Sequence, residues 1–69
     1  MEQVTQPEAE SLLARMRRVR QRDERHYRTR CPAHPQSAID FVFHHVGVRF
    51  NAFCGCTFAN VRAAVQRQK

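Results

Sequence analysis

The chain has 69 residues, of which 42% are hydrophobic, and twelve Lys and Arg against six Asp and Glu give it a formal net charge of +6. A chain of this length forms one small domain, assigned to residues 1–69, and leaves no room for a cleft between two domains. The basic excess predicts an acidic partner, either nucleic acid or an acidic protein surface. Because no apolar run is long enough for a membrane helix and no secretory signal is recognisable, we expect a cytoplasmic protein without a membrane partner.

The N-terminal part is predicted to contain a polar tail over residues 1–6 and a helix over residues 7–28. Thr5 and Glu8 have the spacing of a capping box, with a proline in the first turn. Apolar side chains then recur at helical spacing and form one stripe: Ala9, Leu12, Leu13, Met16, Val19 and Tyr27. The opposite side of this amphipathic helix is expected to carry Arg15, Arg18, Arg22 and Arg25.

The positive charge is concentrated between Arg15 and Arg30, where eight arginines accompany only two acids, Asp23 and Glu24. Since two acids can pair with few of these arginines, we predict that the arginine face binds the partner molecule. The alternative is a solvated helix face with some intrahelical ion pairs. The predicted binding residues are Arg15, Arg17, Arg18, Arg22, Arg25, Arg28 and Arg30.

The second half of the chain alternates apolar and polar residues, which predicts a β-hairpin. Ile39, Phe41 and Phe43 share one face of the first strand, and Val48, Phe50 and Ala52 share one face of the second. Gly47 lies in the turn between them. A C-terminal helix is predicted over residues 57–68, with Thr57 as its cap.

All three cysteines lie in two short clusters at the ends of this hairpin, Cys31-x2-His34 and Cys54-x-Cys56. Three thiolates and one imidazole form a tetrahedral ligand set that suits zinc. A site with four protein ligands has no position for water, so one structural Zn²⁺ is predicted at Cys31, His34, Cys54 and Cys56. The alternative is three buried thiols and a solvent-facing histidine. The predicted fold class is therefore a small zinc-stabilised α+β domain.

Three further histidines, His26, His44 and His45, are at most reserve ligands. His44 and His45 are adjacent on the first strand of the hairpin and point to opposite faces, so only one of them can face a given site. We expect one to pack against the sheet and the other to contact solvent.

Two cysteine-containing runs flank the predicted hairpin, and a predicted helix follows them, all between residues 30 and 66. The first run is Arg30-Cys31-Pro32-Ala33-His34-Pro35, and the second is Phe53-Cys54-Gly55-Cys56. This arrangement resembles the zinc-ribbon domain of bacterial and phage DNA primases, the Cys-His-Cys-Cys type. In that family, four such residues hold one zinc, and the sheet of the ribbon helps to select a single-stranded template. The resemblance implies a zinc-ribbon hairpin over residues 30–56 and a stand-alone protein of a phage or another mobile element.

Two functions from different classes are predicted for the arginine-rich segment. The first is sequence-independent binding of nucleic acid through phosphate contacts, with Phe41, Phe50 or Phe53 as candidates for stacking against bases. The alternative for these aromatic rings is packing in the core. The second function is that of a phage-like regulatory or inhibitory protein, which docks on an acidic surface of a host polymerase or defence complex.

Enzymatic activity and a small-molecule substrate are not expected. No nucleophile and general base stand apart from the metal ligands, and Asp40 is the only carboxylate side chain between residues 25 and 69. The composition therefore favours a binding protein over a catalyst.

Overall fold

A computed structural model describes residues 2–67 of the chain, which form an α+β fold with two helices and five strands. All strand pairs are antiparallel, and the strands lie in the order β1-β5-β4-β3-β2. In chain order the elements are β1 (Glu2–Val4), α1 (Gln6–Arg15), β2 (Arg20–Gln21), β3 (His26–Arg30), β4 (Ala38–His44), β5 (Gly47–Ala52) and α2 (Phe58–Arg67).

The predicted capping box is present at the start of α1, where the Thr5 side chain accepts from the Glu8 N–H and the Glu8 carboxylate accepts from the Thr5 N–H. The prediction of a helix over residues 7–28 is wrong, because α1 ends at Arg15. Met16 is extended, and Arg18 has a φ of 59°, in the left-handed region. Neither conformation continues an α-helix.

The segment that follows α1 folds as a short hairpin of β2 and β3 rather than as helix. Tyr27 lies opposite Phe41 of β4, and Thr29 lies opposite Ile39. Along β3, Tyr27 and Thr29 alternate with His26, Arg28 and Arg30, which is the period of two typical of a strand. Tyr27 also fits the apolar stripe of the predicted helix, so the sequence was compatible with both periods. The hydrogen bonds to β4 decide between the two periods, because they satisfy the backbone groups of a whole strand. The arginines therefore do not share one helix face.

The prediction of a polar tail over residues 1–6 is also wrong for the described part of that segment. Glu2–Val4 forms the edge strand β1, which pairs with β5. The Glu2 carboxylate accepts a hydrogen bond of 2.9 Å from the Phe58 N–H, at the first residue of α2. A negative charge at this end stabilises a helix, so the N-terminal strand also caps the C-terminal helix.

The predicted hairpin is present as β4 and β5, although it forms part of a five-stranded sheet instead of an isolated ribbon. Gly47, predicted in the turn, is the first residue of β5. It has a φ of 151°, and a Cβ at this position would lie 2.9 Å from the side-chain nitrogen of Gln3 and 3.1 Å from the Val4 carbonyl oxygen. The positive φ and the close approach of the β1 backbone both favour a glycine here.

The core lies on one face of the sheet, and both helices contribute their buried residues to it. Phe50 packs edge to face against Phe41 at 5.3 Å and against Phe58 of α2 at 5.5 Å between ring centroids. The apolar face predicted for the hairpin lies on this side: Ile39, Phe41, Val48 and Phe50 are buried, and Phe43 and Ala52 are partly buried against them. The core consists of Ala9, Leu12, Cys31, Ile39, Phe41, Val48, Phe50, Phe58, Val61 and Val65.

The helix predicted over residues 57–68 begins at Phe58, and Thr57 accepts a hydrogen bond from the Asn60 N–H at 3.1 Å. Residue 68 lies outside the part of the chain that the structure describes. Between residues 2 and 67, neither helix has the length and apolar character that crossing a membrane requires.

Candidate metal centre and arginine groove

The two cysteine clusters meet because the end of β3 and the end of β5 lie at the same end of the sheet, where β4 begins. Cys31 follows β3 and opens a turn over residues 31–37. Within this turn the His34 N–H donates to the Cys31 carbonyl at 3.1 Å. After β5, the Gly55 N–H donates to the Ala52 carbonyl at 2.9 Å, which turns the chain back toward the first cluster.

The side chains of Cys31, His34, Cys54 and Cys56, here called the metal cluster, place their four ligand atoms within 4.8 Å of one another. The Cys31 sulfur lies 3.8 Å from the Cys56 sulfur and 3.6 Å from His34 Nδ1, and the Cys56 sulfur lies 3.4 Å from the same nitrogen. The three cysteines are not joined by a disulfide. The cluster is compatible with one metal ion, as the sequence predicted.

The thiols of the metal cluster influence one another's ionisation. Desolvation acts to raise the pKa of Cys54, but hydrogen bonds from the backbone and thiol of Cys56 outweigh it and lower this pKa to about 7. The hydrogen bond to Cys54 and the loss of solvation raise the pKa of Cys56 to about 12. At this spacing three thiolates repel one another, and a bound cation would remove that repulsion.

The reserve histidines do not join the metal cluster within the described chain. His26 Nε2 lies 3.5 Å from Asp40 Oδ1. His44 is half-buried, whereas His45 is exposed in the turn between β4 and β5. The expected division into a packed and a solvated histidine therefore agrees with their burial.

Most of the predicted binding arginines gather around two adjoining cavities, which we call the end cavity and the hairpin cavity. The end cavity, of about 610 Å³, is lined by Met16, Arg17, Arg18, Arg30, Cys31, Pro32, Pro35, Val65 and Arg67. The hairpin cavity, of about 730 Å³, is lined by Arg18, Val19, Arg20, Arg22, Arg28, Thr29, Arg30, Gln36 and Ala38. Arg18 and Arg30 line both cavities, which together form the arginine groove.

The arginine groove contains seven arginines, and no Asp or Glu of residues 2–67 lines either cavity. The hairpin brings like charges together, because Arg20 of β2 lies directly opposite Arg28 of β3. Like charges opposite each other destabilise a strand pair. An anion bound across these strands would offset that repulsion.

The arginine groove and the predicted binding surface do not contain the same arginines. Arg15, at the C-terminus of α1, and Arg25, in the turn between β2 and β3, line neither cavity. Arg20 and Arg67 do line the groove, although neither was predicted. Arg20 belongs to the charged run and was a candidate on composition alone, whereas only the packing of α2 brings Arg67 to this place.

Three contacts fix the groove arginines. The buried Thr29 hydroxyl donates to the Arg17 carbonyl at 2.9 Å and holds the strand connection in place. Arg30 Nη1 donates to the Pro35 carbonyl at 3.1 Å. Arg28 donates to both carboxylate oxygens of Asp40, and this pair raises the pKa of Arg28 and lowers the pKa of Asp40.

Of the three rings considered for base stacking, Phe41 and Phe50 are buried in the core. Phe53, in contrast, is 60% exposed. The guanidinium carbon of Arg28 lies 6.0 Å from the centre of the Phe53 ring, within the range of a cation–π contact. Arg28 therefore connects the hairpin cavity with an exposed aromatic ring.

No protein-family model, curated protein or solved structure matches this chain. The relationship to primase-type zinc ribbons therefore stays a prediction, based on the motif around the metal cluster.

Proposed function

We propose that the protein is a small zinc-stabilised domain that binds nucleic acid through the arginine groove, with little dependence on base sequence. The observation that carries this proposal is the pair of adjoining cavities with seven arginines and no carboxylate among the described lining residues. Guanidinium groups form bidentate hydrogen bonds with phosphate oxygens. Contacts of this kind position a nucleic-acid backbone without selecting a sequence.

The geometry of the metal cluster supports zinc as the bound metal. A tetrahedral zinc ion with its usual bond lengths separates two sulfurs by about 3.8 Å, and a sulfur from a nitrogen by about 3.6 Å. The sulfurs of Cys31 and Cys56 are 3.8 Å apart, and their distances to His34 Nδ1 are 3.6 and 3.4 Å. With four protein ligands the ion would be structural, joining the turn after β3 to the turn after β5.

The exposed ring of Phe53 favours nucleic acid over an acidic protein surface as the partner. Stacking of a base on an aromatic side chain is sequence-tolerant, because every base has a π face. The ring lies beside Arg28, whose planar guanidinium is itself a stacking surface for unpaired bases. Phosphate binding and stacking are thus available at neighbouring positions, a combination that single-stranded nucleic acid uses.

Fluorescence anisotropy with short labelled DNA and RNA at low salt tests the proposal. The variant Arg20→Gln/Arg22→Gln removes two arginines of the hairpin cavity and should weaken binding about tenfold or more. The matched control Arg15→Gln/Arg25→Gln makes the same charge change outside the groove and should have a much smaller effect. Equal losses in the two variants would show that only net charge matters.

The same experiment also tests the alternative function, in which the protein docks on an acidic surface of a host protein. If neither single-stranded DNA, duplex DNA nor RNA binds at low salt, nucleic acid is excluded as the partner. A pull-down from host lysate after nuclease treatment then examines the second function, and loss of the captured host protein in Arg20→Gln/Arg22→Gln would assign the groove to that protein.

A further inference from the structure

We infer that the end cavity is a binding site for a phosphorylated nucleoside, in the form of either the phosphorylated end of a strand or a free nucleotide. The strand-end form rests on the proposed function, since it requires that a strand occupy the neighbouring hairpin cavity. The inference assigns to the end cavity a ligand with a phosphate monoester, which carries up to two negative charges against one for an internal phosphodiester.

The lining of the end cavity combines two kinds of chemistry. Arg17, Arg18, Arg30 and Arg67 supply the cationic part, whereas Met16, Pro32, Pro35 and Val65 supply an apolar part. A nucleoside phosphate has the same division, with a planar base and a doubly charged phosphate. The volume of about 610 Å³ lies within the usual range for small-molecule sites, about 300–1,000 Å³.

The backbone beside the cavity is strained in a way that suits a binding site. Arg18 has a φ of 59°, in the left-handed region that non-glycine residues rarely adopt. The hydrogen bond from the buried Thr29 hydroxyl to the Arg17 carbonyl holds the adjoining residue in place. The fold thus maintains an unfavourable conformation at Arg18, one of the two residues that line both cavities.

The walls of the end cavity come from three separate segments: the connection after α1, the turn that carries Cys31, and the last turn of α2. Arg30 is held across this turn by its hydrogen bond to the Pro35 carbonyl at 3.1 Å. A nucleic-acid strand lying in the hairpin cavity would meet the end cavity at Arg18 and Arg30, which line both cavities. Its terminal nucleotide would then enter the cavity, with the terminal phosphate among the arginines.

The test compares single-stranded oligonucleotides of about ten nucleotides, a usual site size for such surfaces, with hydroxyl ends, a 5′-phosphate or a 3′-phosphate. A hydroxyl-ended strand that is one nucleotide longer controls for added charge. Because charge-assisted hydrogen bonds contribute about tenfold or more in affinity, one of the phosphorylated strands should bind about ten times more tightly. Competition by a nucleoside monophosphate identifies the free-nucleotide form of the ligand.

Two double variants locate the effect. Arg17→Gln/Arg67→Gln changes arginines that line only the end cavity and should abolish the gain from the terminal phosphate, so that its phosphorylated and hydroxyl-ended strands bind equally tightly. Arg20→Gln/Arg22→Gln changes arginines that line only the hairpin cavity and should weaken all strands while retaining the gain. Metal content and circular dichroism confirm that both variants are folded.

The outcomes separate the two proposals. If hydroxyl-ended strands bind, but a phosphate at neither end strengthens binding and the nucleoside monophosphate does not bind, the end site is wrong and the proposed function stands. If no strand binds, the proposed function fails. Binding of the nucleoside monophosphate that is lost in Arg17→Gln/Arg67→Gln then still supports the end cavity, and absence of that binding overturns it.

Discussion

Arg28 donates two hydrogen bonds to Asp40 across neighbouring strands, one of 2.7 Å from Nε to Oδ1 and one of 3.1 Å from Nη2 to Oδ2. This bidentate pair orients the guanidinium whose carbon lies 6.0 Å from the Phe53 ring centre. The Asp40 carboxylate also partly neutralises the charge of Arg28, which lies between the hairpin cavity and the Phe53 ring. Asp40 thus positions one groove arginine and at the same time weakens the positive potential near it.

Replacement of Asp40 by Asn should strengthen nucleic-acid binding at low salt, because it removes a negative charge beside Arg28, and should lower the free energy of unfolding. Glu24→Gln makes the same charge change in an exposed turn and serves as the control. Anisotropy and denaturant titration measure the two effects. Weaker binding in Asp40→Asn would mean that the orientation of Arg28 outweighs the charge.

The stability difference between wild type and Asp40→Asn also has a defined pH dependence. The Arg28 guanidinium lowers the pKa of Asp40 in the folded protein, so the stabilisation is fully present above the unfolded pKa of about 3.9 and is lost as the pH falls through the lower folded value. The difference should therefore not decrease from neutral pH down to about pH 5, since His26, 3.5 Å from Asp40, can only add to the attraction when it is protonated. A decrease of this stability difference already near pH 6 would contradict the ion pair between Arg28 and Asp40.

The proposed structural zinc predicts that removal of the metal unfolds the domain, since a core of this size would depend on such an ion for much of its stability. Native mass spectrometry should find one zinc per chain, and a chelator should abolish cooperative unfolding. Cys56→Ser should lose the metal, whereas His34→Cys should retain it because four cysteine thiolates also form a tetrahedral zinc site. A folded, metal-free wild-type protein would contradict the structural role.

Phe53→Ala should weaken binding of single-stranded DNA about 5- to 150-fold, because one stacked base contributes about 1–3 kcal/mol. Duplex binding should change much less, since paired bases are not free to stack on the ring. The control is Val46→Ala, because Val46 is even more exposed, at 73% against 60%, and lies in the turn between β4 and β5. Equal effects on single strands and duplex would exclude stacking.

The salt dependence of binding counts the phosphate contacts. Among residues 2–67, the structure shows no hydrogen bond or ion pair from the groove side chains of Arg17, Arg18, Arg20, Arg22 and Arg67. If these five each neutralise a phosphate, affinity for a single strand should fall by about 3.5 decades for a tenfold rise in salt, at about 0.7 per contact. Arg22→Gln should reduce the slope by about 0.7, and Arg15→Gln should leave it unchanged.

Thr29→Val should destabilise the domain by about 1 kcal/mol or more, because it removes the hydroxyl that donates to the Arg17 carbonyl while keeping the side-chain shape. Thr29→Ser keeps the hydroxyl and should retain that hydrogen bond. The gain in affinity from a terminal phosphate should decrease in Thr29→Val and persist in Thr29→Ser. Denaturant titration and anisotropy together check both expectations.

Features that depend on neighbouring residues were predictable from the sequence. The capping box of Thr5 and Glu8, the inward face of the β4–β5 hairpin and the ligand set of the metal cluster all follow from short spacings. In each case the chemistry that forms the feature acts over a few residues, or within one hairpin whose register its own turn sets. The sequence by itself therefore determined the candidate metal site and the coarse α+β class, but not the five-stranded sheet.

Only the tertiary structure decided where the arginines lie. The segment from residue 16 to residue 30 has few apolar residues, and these fit both a helical period and a strand period. Pairing of β3 with β4 selects the strand, since hydrogen bonds between distant segments outweigh weak local preference. The same pairing brings Arg18 and Arg30 to a shared groove. The packing of α2 against the sheet adds Arg67, which is distant from them in the sequence.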